Sequence, residues 1–427
     1  VKDSTVPLIT MEYAFTGGAT QDPAQKPGVG HMVSGLLKEG SGDFDFRTFH
    51  QRLDRRAIEL GFHVTPDHFR GALCTLQDNA DEAFDLLRTA LTSPRFEPAD
   101  VERTRATVLA RLRHASTDPS SLAHRKFLEV AFGDHPYARP TEGSLESVPK
   151  IEVADLKSYV RRVIAKDTLK VAIVGDVNPA VVCNLLDKTF GGLPSNAEAV
   201  PVAEVIAAKP PQRVFIPVDV PQTVVTFGGP SVRRSEPDFM AAYIVNHILG
   251  GAGLTSRLFR EVREKRGLAY FVREHLLWLN HSAIFLGSSG TCADRAGQTV
   301  EEIEKQVRHI AEEGPAQQEL DDAKSYVKGS QQVALNTSSK LARTLLQNQI
   351  DKLPIDYFEK QNALVDGVTL EDAKRAAQRL WGEGLLTVIV GRSSSNAAQC
   401  TPMPTGTTPP PGADQPDAGP TTPAPAA

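Results

Sequence analysis

Apolar and polar positions alternate from Leu8 to Phe15, which predicts a strand, and the pair Gly17-Gly18 closes it with a turn. A helix opens near Gly30, and a second is expected from Phe46 to Glu59, ended by Gly61. Short strands follow at Phe62 to Val64 and Gly71 to Gln77, then helices from Asp81 to Leu91 and from Pro98 to His114. Pro98-Ala99-Asp100 is a helix start, with proline in the first turn and an acid near the positive end of the dipole. The pattern closes on a helix from Val153 to Ile164 and a strand from Leu169 to Gly175.

The same order then recurs with different residues. A strand over Gln222 to Gly228 leads to a helix over Asp238 to Leu249, the glycine turn Gly250 to Gly253, and a helix over Arg257 to Lys265. Strands near Ala269 to Leu277 and Ile284 to Thr291 precede helices over Ala296 to Glu313 and Gln317 to Val333. The endings match best: VADLKSYVRRVI with LKVAIVG in the first half, VTLEDAKRAAQRLW with LLTVIVG in the second. Two units of one topology are therefore expected, 1–195 and 215–391, joined by the Pro- and Ala-rich segment 196–214. Strands and helices do not alternate strictly. The expected class is thus α+β, each unit a mostly antiparallel sheet packed with helices. From 392 to 427 the chain is rich in Pro, Thr and Ala and nearly free of large apolar residues, the composition of an extended tail or spacer.

Composition removes several functions. A formal net charge of −5 leaves no basic footprint for nucleic acid. No apolar run approaches the ~20 residues that span a bilayer. Cys74, Cys183, Cys292 and Cys400 are single and widely spaced, which fits neither a disulfide framework nor a Cys-x-x-Cys metal site. The first residue is Val1 rather than Met, and a removed leader with a periplasmic location is the expectation.

The chemistry is suggested by what one stretch lacks. Residues 28–42 read GVGHMVSGLLKEGSG, a glycine-flanked helix on which His-x-x-Glu-His would place two zinc ligands and a general base on one face. Here the run is His31-Met32-Val33-Ser34-Gly35. Ser34 cannot act as that base, and Gly35 has no side chain to ligate with. His50, His63, His68, His114, His124 and His135 do not rebuild the motif and read as surface or core residues. Gly250-Gly251-Ala252-Gly253 is not followed by Gly-Lys-Ser/Thr and reads as a helix-breaking turn rather than a phosphate loop, with Asn246 and His247 as packing or surface residues.

PGVGHMVSGLLKEGSG, FGDHPYARPTEGSLESV, SRLFREVREKRGLAY and the paired endings VAIVG and TVIVG, in that order, resemble the pitrilysin/insulinase family of inverzincin peptidases in its short, two-domain processing-peptidase form. The resemblance covers most of residues 5–391. It implies that His31 matches the first zinc ligand, that Ser34 and Gly35 replace the base and second ligand, and that Arg111 replaces the third, a glutamate. A cation at that position repels Zn²⁺, so no cofactor is expected in this chain. It also implies that Arg263 and Tyr270, seven apart, match the family's substrate-binding pair. Arginine holds substrate oxygens through its fork of donors, and tyrosine donates to the oxyanion. The expectation is a zinc-free subunit, inactive alone, whose homologous partner carries His-x-x-Glu-His and zinc, the two acting on a peptide or unfolded protein. A non-catalytic assembly subunit and a peptide-binding module are the alternatives.

Overall fold

The computed structural model describes residues 1–392, apart from the side chains of 331–334; the expected tail and Cys400 lie outside the described residues. The first half contains β1 (Leu8–Thr16), α1 (Val29–Leu36), the short strands β2 (Gly40–Ser41) and β3 (Phe44–Asp45), and α2 (Phe46–Arg55). It continues with β4 (Glu59–Val64), β5 (His68–Leu76), α3 (Ala80–Thr92), α4 (Pro98–Ala115) and α5 (Pro119–Phe132). It ends with α6 (Val153–Val163), β6 (Lys170–Gly175) and α7 (Pro179–Phe190). The second half runs through β7 (Gln212–Pro217), β8 (Gln222–Pro230), α8 (Phe239–Asn246), β9 (Ala269–Trp278) and β10 (Ala283–Cys292). Helices α9 (Ala296–Glu313), α10 (Gln317–Ala334), α11 (Ser338–Ile350), α12 (Tyr357–Asp366) and α13 (Leu370–Trp381) precede β11 (Leu386–Gly391).

Each half builds one main sheet. The first has the order β4-β5-β1-β6, with every pair antiparallel. The second has the order β7-β11-β8-β10-β9, with β7 parallel to β11 and the other pairs antiparallel. Side chains alternate along each strand. On β1, Ile9, Met11, Tyr13 and Phe15 enter a core with Met32 and Val33 of α1, Phe84 of α3 and Tyr159 of α6. In the second half Val225 and Phe227 of β8 pack with residues of α8, α9, α10 and α13, including Trp381. These are the antiparallel, helix-packed sheets that the pattern predicts.

The opposite face of each sheet is covered by a helix lent by the other half. Phe127 and Ala131 of α5 pack with Val224, Ile284 and Val388 of the second sheet. Gly228 permits this approach, because a Cβ there would lie 2.7 Å from the Phe127 ring. In return Leu346 of α11 packs on Ala14 and Ala172 of the first sheet. Neither α5 nor α11 is among the elements expected from the pattern. Both begin at caps: Asp118 accepts from Ser121 N (2.7 Å) and Thr337 from Lys340 N (3.2 Å).

Three expected boundaries are corrected. The helix expected to reach Glu59 stops at Arg55, since Ala57 takes φ of 47° and Glu59 already pairs with Cys74. The helix expected over 238–249 is regular only to Asn246 and then winds as a π-helix over His247–Gly251. That expected over 257–265 is π-helical over Phe259–Glu264. The segment read as a linker runs on into β7 and is fastened along its course. Gln21 donates to Val200 O (2.9 Å) and accepts from Val200 N (2.7 Å), while Ala208 N donates to Ala131 O (2.7 Å).

Candidate functional site

The glycine-flanked motif forms α1, and its glycines have packing reasons. Gly28 adopts φ of 101°, and a Cβ there would sit 2.9 Å from Glu142 O. A Cβ on Gly30 would meet the Tyr159 hydroxyl at 2.8 Å. Asp22, absent from the sequence reading, caps the helix by accepting from Gly28 N (2.7 Å) and Gly30 N (2.8 Å). Burial pushes its carboxyl up to about 7, against the pull of the Gly30 and Gly28 amides and of Arg139 and Arg162.

The positions of the absent zinc site are close together but do not fit the ion. His31 is half-buried on α1. Burial lowers its pKa from the ordinary value, exposed Glu142 opposes this, and exposed Arg111 adds to the lowering. Arg111, on α4 against α1, thus presents its charge to the one surviving imidazole. Ser34 Oγ donates to His31 O (2.8 Å) and is occupied by its own helix. At Gly35 a Cβ would stand 3.3 Å from Thr104 Cγ2, so even the first atom of a second ligand crowds α4. Among the described residues no three His, Cys, Asp or Glu side chains are grouped to hold a metal ion.

Arg263 and Tyr270 lie in the other half, on the rim of the second sheet. Arg263 is carried by the π-helical turn, half-buried, with its guanidinium 4.7 Å from the Phe259 ring centroid. Around it Glu261 pairs with Lys265 and Arg266 (2.7 Å each), and Arg260 with Glu319 (3.2 Å). Tyr270 stands at a β-bulge of the edge strand β9. Phe271 is opposite Gly290 and Ala269 opposite Thr291, so Tyr270 is the extra residue. Thr291 Oγ1 fastens the bulge by donating to Leu268 O (2.5 Å). The half-buried Tyr270 hydroxyl is 2.9 Å from Cys292 Sγ.

Beneath this rim lies a buried acid that sequence reasoning did not single out. Glu274 accepts from Asn246 Nδ2 (2.8 Å), and burial pushes its carboxyl up to about 8, opposed by Asn246 and Trp381. Gly250 faces it, since a Cβ there would be 2.6 Å from Glu274 Cβ. The glycine turn is therefore a packing device, as its lack of Gly-Lys-Ser/Thr suggests. Flanked by Arg273 and His275, Glu274 reads in the sequence as part of a short polar run, which gives no clue to its burial.

Two family models match the chain. That of the insulinase peptidases, family M16, matches residues 2–144, and that of the M16 inactive domain matches 150–327. The chain belongs to the insulinase (M16) family, as a member without the zinc motif. It is similar to the non-peptidase homolog YmxG of Helicobacter pylori, 28% identical and aligned over 82% of this chain and 81% of that one. An uncharacterized zinc protease of Mycobacterium leprae is 26% identical over 88% and 85% of the two chains. The crystal structure of a peptidase M16 inactive domain from Pseudomonas fluorescens superimposes with a TM-score of 0.86 at 25% identity, covering 92% of this chain and 94% of that one.

Proposed function

We propose that this M16 chain is the substrate-binding subunit of a heterodimeric zinc metallopeptidase, working on peptides or unfolded proteins. The observation that carries the reading is the pairing of an unusable zinc position with Arg263 and a bulge-mounted Tyr270 on an edge strand. The partner, a homologous chain with His-x-x-Glu-His, supplies the metal and the base that activate water. Arg263 holds backbone oxygens of the substrate, and the Tyr270 hydroxyl donates to the carbonyl oxygen as negative charge develops there. The outer edge of β9, last in its sheet, takes an extended peptide as an added strand beside both residues.

The test is reconstitution. The chain is co-purified with its zinc-bearing homologue, and hydrolysis of an internally quenched unstructured peptide is followed. Each chain alone should be inactive, and Tyr270→Phe should lower kcat of the pair by about 10²–10³, the usual loss for one oxyanion donor. Arg263→Ala should raise KM as well as lower kcat. Unchanged turnover in both variants would sink the proposal. The name of the H. pylori relative supports a second reading, binding or assembly without cleavage. Peptide binding by the chain alone, with no zinc-bearing companion recovered from native extract, would favour it.

A further inference from the structure

Glu274 lies in the middle of β9, and its cross-strand neighbour on β10 is Gly287, which has no side chain. Asn246, the last regular residue of α8, donates to one carboxyl oxygen (2.8 Å), and the other makes no hydrogen bond among the described residues. Beyond Asn246 the chain winds into the π-helical turn His247–Gly251, which covers the pair. A Cβ on Gly250 would stand 2.6 Å from Glu274 Cβ and 2.9 Å from Glu274 N, and one on Gly251 would stand 3.3 Å from Asn246 Oδ1. Gly250 is buried and Gly251 exposed, so these two glycines are the layer between the pair and solvent on that side. Arg273 and His275 alternate to the other face of β9. The turn Phe259–Glu264, with Arg260, Glu261, Arg263 and Glu264, also packs on this strand. Besides burial, however, the groups acting on the carboxyl are Asn246 and Trp381, both uncharged. A carboxylate formed here has no cation to pair with and must reach water. The turn is lightly held: Gly253 takes φ of 57°, Ala252 N donates to His247 O (2.9 Å), and the His247 ring stacks on Tyr326 of α10 (4.7 Å between centroids).

We propose that the glycine turn 250–253 is a proton-controlled lid, closed over Glu274 while this carboxyl keeps its proton and opened as the proton leaves and water reaches the carboxylate. With the lid closed, burial pushes the carboxyl up to about 8; wetted by opening, it returns toward its ordinary 4.5. The open form therefore binds fewer protons, and the opening equilibrium grows with pH between those values, by at most about tenfold per unit. His247, held down to about 4 by burial, gains a proton on exposure below its ordinary 6.5, which opposes the trend. The carboxyl thus acts alone between about pH 6.5 and 8. This lid is a property of the second half by itself and stands whether or not the peptidase reading holds.

The experiment is hydrogen exchange on the full chain at pH 6.5 and 7.5, read by mass spectrometry in peptides covering 247–256 and 283–292. Each rate is divided by that of the free peptide at the same pH, which removes the intrinsic pH dependence of exchange and leaves the opening equilibrium. In the wild type, protection of 247–256 should fall about fivefold to tenfold between the two pH values, while that of 283–292 in β10 stays constant. Glu274→Gln, which keeps the shape and cannot titrate, should show equal protection at both. Gly250→Ala, whose Cβ does not fit against Glu274, should exchange fast in 247–256 at both pH values with β10 still protected. Constant protection in the wild type overturns the lid, as does a fall that persists in Glu274→Gln. A parallel fall in 283–292 would show a wider opening of the sheet and overturn it as well, and wild-type protection in Gly250→Ala would remove the contact on which it rests.

Discussion

The most consequential single residue outside the rim is Glu274. It is 2% exposed, and one carboxyl oxygen makes no hydrogen bond among the described residues. Burial raises its folded pKa to about 8 from an ordinary 4.5, so at neutral pH the folded state holds a proton that the unfolded chain has lost. The contribution to stability is therefore full below about pH 4.5 and is lost as pH rises toward 8. Glu274→Gln, neutral throughout, should lack this decline and be ~2–4 kcal/mol more stable relative to wild type at pH 8 than at pH 4.5. Urea unfolding at the two pH values measures it; parallel curves for the two proteins would show that Glu274 is not protonated in the fold. At the same scale, Asp22→Ala removes the acceptor of two amides at the start of α1 and should cost about 1–2 kcal/mol.

Among elements, the α1–α4 contact bears on whether the zinc motif can be restored by letters alone. If the resemblance assigns these positions rightly, Ser34→Glu, Gly35→His and Arg111→Glu together restore a ligand set and base, with the new side chain at 35 close against Thr104. The triple variant should bind zinc weakly, and Thr104→Ala added to it should tighten binding at least roughly tenfold, as titration against a zinc-responsive dye would show. Equal affinity with and without Thr104→Ala would remove the steric account. The exchanged helices differ in character. Helix α5 meets the second sheet through apolar side chains, so Phe127→Ala should cost about 3–5 kcal/mol in urea unfolding. Helix α11 meets the first sheet partly through polar groups, with Arg70 donating to Gln347 (2.5 Å) and Arg343 lying 3.7 Å from Glu12.

At the scale of the molecule, the exchange of α5 and α11 makes the halves interdependent. The segment between them adds a strap whose Val200 is held by Gln21 and whose Val205 N donates to His281 O (3.0 Å). Tyr137 ties them again, its hydroxyl donating to Asp67 (2.7 Å) and accepting from His281 N (3.0 Å). A protease site inserted next to exposed Glu198 and then cut should leave the halves eluting together on size exclusion. Separation of the pieces would mean that covalent continuity, not helix exchange, holds them.

The sequence by itself determined the two-fold repeat, the sheets and most of their strands, because period-two alternation and paired endings are local properties of the chain. It also showed that His31 to Gly35 lack His-x-x-Glu-His and that Arg263 and Tyr270 are seven apart, because these are matters of residue type and interval. The cap signals of α5 and α11 were present, but which sheet each helix covers depends on packing volume at positions such as Gly228 and Ala14, which no local pattern encodes. Only the tertiary structure decided that Gly35 is crowded by Thr104, that Asp22 closes the start of α1, and that Glu274 is buried beside Asn246. Cys292, a lone cysteine by every rule of spacing, meets Tyr270 because a bulge shifts the register of β9 against β10 by one residue. Register is a relation between strands, and neither strand carries it alone.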